Sequence, residues 1–97
     1  ISAKAGKIIA GSEIVIENIK KKKVNLVILA IDTSEKTKKN IKLCCQQNNV
    51  KVIEYGTIEE NSRAIGKINK AIIGVIDDKL AVAILNKISG GEEFGEN

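Results

Sequence analysis

The stretch VNLVILAIDTSE, residues 24–35, decides the fold. Its first eight residues form an unbroken apolar run of strand length, and a strand with no polar alternation is covered on both faces. Such a strand belongs in the interior of a sheet that has helices on either side. Asp32, Thr33 and Ser34 then break the run with three helix-capping residue types, which predicts a helix over about 35–48. In that helix Thr37, Ile41 and Cys44 or Cys45 fall on the inner face, and Lys36, Lys38, Lys39 and Lys42 point outward. Asn48 and Asn49 end it, because Asn tolerates a left-handed turn.

Downstream, KVIEY (51–55) reads as the next strand. Past Gly56, Thr57 and Glu60 have the Thr-x-x-Glu spacing of a capping box and open a helix that Gly66 closes. AIIGVI (71–76) is another buried strand, and Asp77 is placed to cap a last helix. There Leu80, Ala81, Ile84, Leu85 and Ile88 recur at helical spacing, and Ser89-Gly90-Gly91 is expected to end the fold. Upstream, residues 1–6 read as the end of a helix stopped by Gly6. KIIAG (7–11) is a short strand or extended segment, and Ser12 is the expected N-cap of a helix over roughly 13–22. Alternation of this kind predicts the α/β class, a three-layer α/β/α sandwich around a four-stranded sheet. A single domain over 1–89 followed by a disordered acidic tail over 90–97 is the expected organisation.

The sixteen Lys and Arg against twelve Asp and Glu give a formal charge of +4, but the charge is unevenly spread. Residues 1–51 carry eleven lysines and four acids, whereas residues 52–89 balance five bases against five acids. A one-sided lysine field is the footprint of a polyanion binder, although lysine runs such as Lys20–Lys23 are most often solvated surface. With one Phe, one Tyr and no Trp, almost nothing is available to stack on bases.

Enzyme chemistry has little to work with. The chain has no His, its two cysteines are adjacent, and neither GxSxG nor GxxxxGK[ST] occurs. No metal, no cofactor and no disulfide is expected, and the paired thiols read as those of a reduced, cytoplasmic protein. Asp32 and Asp77 follow buried strands, where open α/β sheets hold ligands, but each is better explained as a helix cap. No apolar run approaches the roughly 18 residues of a membrane span, and no secretory leader pattern heads the sequence, so no membrane partner is expected.

Three segments in this order, AGKIIAGSEIVIENI, VNLVILAIDTSEKTKKNI and EENSRAIGKINKAIIGVID, resemble the kink-turn-binding ribosomal protein family. This is the L-seven-Ae and L-thirty-e group, and its bacterial YlxQ-like branch in particular. The resemblance runs from about Ala3 to Ile88 and implies a mixed sheet and a non-catalytic, ribosomal-protein-like RNA-binding protein. Its partner would be structured RNA, ribosomal or another kink-turn RNA. It further implies a first contact surface of Lys7, Gly11, Ser12, Glu13, Ile14 and Glu17. A second would be the loop Lys67, Ile68, Asn69, Lys70 and Ala71, with Asp32 and Thr33 at the neighbouring strand end. RNA-binding members usually carry Asn at the position of Glu13 and Lys at that of Glu17. A carboxylate only accepts hydrogen bonds and cannot replace those donors at guanine O6 and N7. The alternative is therefore an interaction module for ribosome-associated proteins that has lost kink-turn recognition.

Overall fold

A computed structural model describes residues 7–92 of the chain. The helix expected over 1–6, and the tail from residue 93 onward, lie outside the described residues. Four strands, β1 (Ile8–Ala10), β2 (Leu26–Leu29), β3 (Lys51–Glu54) and β4 (Ile72–Val75), alternate with α1 (Ser12–Lys20), α2 (Glu35–Gln47), α3 (Ile58–Ala64) and α4 (Asp78–Glu92).

The strands stand in the order β1-β4-β2-β3, so the two fully apolar segments of the sequence are the two central strands. β4 runs antiparallel to both β1 and β2, and β2 runs parallel to β3. The sheet is therefore mixed. Along β2, Leu26 and Ile28 pack with Ile73, Val75, Ala81 and Ile84 under α4, while Val27 and Leu29 pack with Val15, Ile19, Ile41 and Cys45 under α1 and α2. Two dry faces on one strand are why no polar residue could alternate there. Helices cover both faces, as the three-layer sandwich requires.

The capping box at Thr57 and Glu60 forms reciprocally, with Glu60 N–H donating to Thr57 Oγ1 at 3.0 Å and Thr57 N–H to Glu60 Oε1 at 3.1 Å. Asp77 Oδ2 accepts from Leu80 N–H at 2.8 Å and caps α4. α4 does not stop at Ser89-Gly90-Gly91 but continues to Glu92. Gly costs only about 1 kcal/mol in a helix and, without proline, does not by itself stop one.

Two capping expectations are corrected, those at Ser12 and Asp32. Gly11, not Ser12, is the N-cap of α1, because the helix begins one residue earlier than its side-chain chemistry suggests. Ser34 caps α2, accepting from Thr37 N–H at 3.2 Å. Asp32 instead reaches across the sheet end, where its Oδ1 accepts from Ile58 N–H at 2.8 Å at the start of α3.

At its other end α1 closes in a Schellman turn. Lys23 N–H donates to Asn18 O at 2.9 Å and Lys22 N–H to Ile19 O at 3.0 Å, which holds Lys22 left-handed at φ 62°. That conformation costs an L-residue about 1 kcal/mol or more and is normally left to Gly.

Lys38 is also corrected: it is buried rather than outward. Its Nζ lies 3.1 Å from Glu54 Oε1 and 3.7 Å from Glu35 Oε2, and Lys42 pairs with the other oxygen of Glu54. Hydrogen bonds from Lys42 and Lys38 hold the Glu54 carboxyl below its ordinary range, and the Glu54 contact raises Lys38. A lowered carboxyl contributes stability above its unfolded-state pKa and loses it as pH falls through the folded value; a raised lysine loses its share as pH rises through its own. Stability from this pair is therefore present at neutral pH and fades below the ordinary glutamate range and above the ordinary lysine range. In thermal melts against pH, Glu54→Gln is expected to flatten the acid limb, and a limb as steep as wild type would exclude this role.

Candidate nucleic-acid interface

The C-terminal ends of β1, β2 and β3 meet the start of β4 at one end of the sheet. Gly11 N–H donates to Ile72 O at 2.9 Å, Ala30 N–H to Ala71 O at 3.0 Å and Ile31 N–H to Gly56 O at 2.8 Å. The turn before α1, the loop before β4 and the turn after β2 are thereby laced into one surface.

Gly11 has φ 113° and ψ 146°, a region that side chains rarely enter. It caps α1 with no side chain at all. Its carbonyl accepts from Val15 N–H at 3.1 Å, but the N–H groups of Ser12, Glu13 and Ile14 find no acceptor among the described residues. A Cβ at Gly11 would lie 3.9 Å from Lys70 Nζ, so the ammonium sits directly over the turn. Ser12, Glu13 and Ile14 are all exposed.

The opposing loop is clamped. Ser62 on α3 is buried, its Oγ accepting from Lys70 N–H at 2.7 Å and donating to Lys70 O at 3.3 Å. Gly66 at φ 71° and Asn69 at φ 56° make the two left-handed steps that turn the chain. At this loop Ile68 is 86% exposed, and Ile14 and Ile31 are exposed as well. An open groove of about 620 Å³ runs between α3 and the loop, bordered by Asp32, Arg63, Lys67, Ile68 and Asn69.

The structure therefore brings Gly11, Ser12, Glu13 and Ile14 together with Lys67, Ile68, Asn69 and Lys70, and puts Asp32 at the same end. Thr33 is there too but is only 7% exposed, and its hydroxyl has no partner among the described residues. Glu17 lies one turn down α1, tied to Lys21 at 3.0 Å. Lys7 is placed elsewhere. It precedes β1 and pairs with Asp77 at 3.9 Å past the end of β4, roughly 13 Å from Gly11 by strand geometry.

Ser62 and Arg63 also belong to this region, beyond the residues to which the sequence points. Ser62 sits mid-helix with its partner across a loop, and no local pattern announces that. Arg63 pairs with Glu59 at 2.6 Å. Around this surface three bases, Lys67, Lys70 and Arg63, are matched by three acids, Glu13, Asp32 and Glu59, so the candidate interface carries no strong basic field.

No helix among the described residues is long and apolar enough to cross a membrane, and no group of three metal-binding side chains occurs among them. Cys44 and Cys45 are both free, and burial pushes the Cys45 thiol up to about 11.

The chain is similar to known proteins along most of its length. It is 33% identical to the RNA-binding protein YlxQ of Enterococcus faecium over 90 residues, covering 93% of this chain and 86% of that protein. A solved structure of a protein of unknown function from Bacillus halodurans superposes with a TM-score of 0.83 at 30% identity, covering 88% of this chain and 86% of the other. Residues 1–84 match the Ribosomal protein L7Ae/L30e/S12e/Gadd45 family. The match covers most of the chain, and the chain belongs to the Ribosomal protein L7Ae/L30e/S12e/Gadd45 family.

Proposed function

We propose that this chain, a non-enzymatic member of its family, binds structured, kink-turn-like RNA where the Gly11 turn, the start of α1 and the Lys67–Ala71 loop meet. The observation that carries this is the uncapped N-terminus of α1. Three N–H groups without acceptors among the described residues, the positive end of a helix dipole and the Lys70 ammonium converge on a turn with no side chain. That combination suits a phosphate oxygen. Ile14 and Ile68 beside it offer apolar surface to an unstacked nucleotide, and unstacked nucleotides are what RNA-binding proteins usually read. The RNA binding named for the YlxQ relative supports the same reading. Lys7 takes no part in it, because it stands at the far end of β1.

Calorimetric titration with a kink-turn RNA and with a plain duplex of equal length tests the proposal. Near 0.1 M salt the kink-turn is expected to bind about tenfold tighter, and Lys70→Ala is expected to remove that preference, a loss of the size of one charge-assisted contact. Equal affinity for both RNAs would overturn the kink-turn assignment and leave backbone binding. The exposed carboxylates of Glu13 and Glu17 favour the second reading, a docking module for ribosome-associated proteins. That reading requires no kink-turn preference in the wild-type chain.

A further inference from the structure

Five exposed lysines of this chain, Lys20–Lys23 and Lys51, lie at the end of the sheet opposite the proposed kink-turn face. We propose that the corner Lys20–Lys23, together with Lys51, is a second RNA surface that grips the phosphate backbone of a duplex segment. The inference rests on the RNA-binding reading, but not on its kink-turn part.

Strand polarity places these residues together. β1 and β2 both run antiparallel to β4, so α1, returning between them, carries Lys20–Lys23 to the end of the sheet opposite Gly11. Lys22 is about 15 Å along the helix axis from Ser12. β3 starts at that same end, with Lys51 in register with Leu26, three residues past Lys23. Lys20, Lys22, Lys23 and Lys51 are exposed and form no ion pair among the described residues, while Lys21 is held by Glu17.

Two features separate this corner from an ordinary solvated helix end. Cations at a helix C-terminus do suit the dipole, but Lys20 and Lys21 already supply them, and the left-handed position of the Schellman turn favours Gly over Lys. Lys22 at φ 62° therefore holds a charge at a place where a side chain costs stability. The corner also lacks apolar surface, since the exposed large apolar residues among the described residues are Ile14, Ile31, Leu43, Tyr55, Ile68 and Val82, none of them in 20–25; the acids at this end are Asp77, paired with Lys7 at 3.9 Å, and Asp78 at the start of α4. With nothing to stack on a base or to bury in an apolar partner, the ligand it fits is a row of phosphates, bound without sequence reading.

The test titrates the chain with a plain RNA duplex and a kink-turn RNA across a salt series, following fluorescence anisotropy. Lys20→Gln/Lys22→Gly/Lys23→Gln is expected to reduce the slope of log affinity against log salt by about two to three, and to weaken duplex binding about tenfold near 0.1 M salt. Lys22→Gly alone is expected to raise the Tm by about 4 °C or more, so weaker binding cannot be read as unfolding. Unchanged duplex affinity and slope in the triple variant would overturn the proposal. So would polyglutamate competing for the corner as well as the duplex does. A reduced slope without any kink-turn preference in the wild-type chain would support this surface and sink only the kink-turn reading.

Discussion

Gly56→Ala is expected to destabilise the fold by about 3 kcal/mol and to lower the Tm by roughly 15 °C. Gly56 follows β3 at φ 69°, and a Cβ built there would stand 2.2 Å from Asn61 Oδ1 and 3.0 Å from its Cγ. Asn61 cannot simply swing away. It is 5% exposed, and its Nδ2 donates to Tyr55 O at 2.7 Å, tying the start of α3 to the end of β3. The substitution therefore adds a left-handed alanine, costing about 1 kcal/mol, to a displaced buried amide, costing about 1–3 kcal/mol. Coupling checks the mechanism: Asn61→Ala removes the atoms that clash, so the double variant should be less destabilised than the sum of the two single changes. Urea denaturation measures all three. A single-variant loss under about 0.5 kcal/mol would show that the corner relaxes freely. The consequence reaches the interface, because Gly56 O accepts from Ile31 N–H and positions the turn that carries Asp32.

Local chemistry in this sequence was readable; chemistry between distant residues was not. β2 and β4 were legible because a strand covered on both faces leaves an unbroken apolar run, and the Thr57–Glu60 box was legible because both partners lie within one turn. Family resemblance added the mixed sheet, which the strand pairing shows, and the expectation of two contact loops. Local pattern assigns Asp32 to the cap of the next helix, because its real partner, Ile58 N–H, is 26 residues away. Lys38 looked outward by helical period alone, and its burial depends on Glu54 standing on the neighbouring edge strand. Ser12 carried the better capping side chain, but the free φ of Gly11 let the helix start earlier and without a cap. Lys7 joined the candidate surface by motif order, whereas an extended strand between it and Gly11 sends the two to opposite ends of the sheet. The same polarity argument separates the lysine corner from the Gly11 turn.

Glu13→Asn/Glu17→Lys is expected to tighten kink-turn RNA binding by one to two orders of magnitude, roughly, near 0.1 M salt. Glu13 stands exposed in the first turn of α1, beside the N–H groups that have no acceptor among the described residues. Its carboxylate favours the helix dipole, yet it repels a phosphate arriving at the same N–H groups and offers no donor to a base edge. Asn at 13 removes the repulsion and restores an amide donor. Lys at 17 adds a cation one turn further on, at the cost of the Glu17–Lys21 pair, which is exposed and worth only a few tenths of a kcal/mol. The net charge rises by three, so the salt slope should steepen as affinity rises. Plain duplex separates the two contributions: its affinity should follow the charge alone and gain less than the kink-turn does. An equal gain on both RNAs would mean that α1 touches only backbone. No gain on either would remove the start of α1 from the proposed interface, leaving the lysine corner and the Lys67–Ala71 loop as the proposed RNA surfaces.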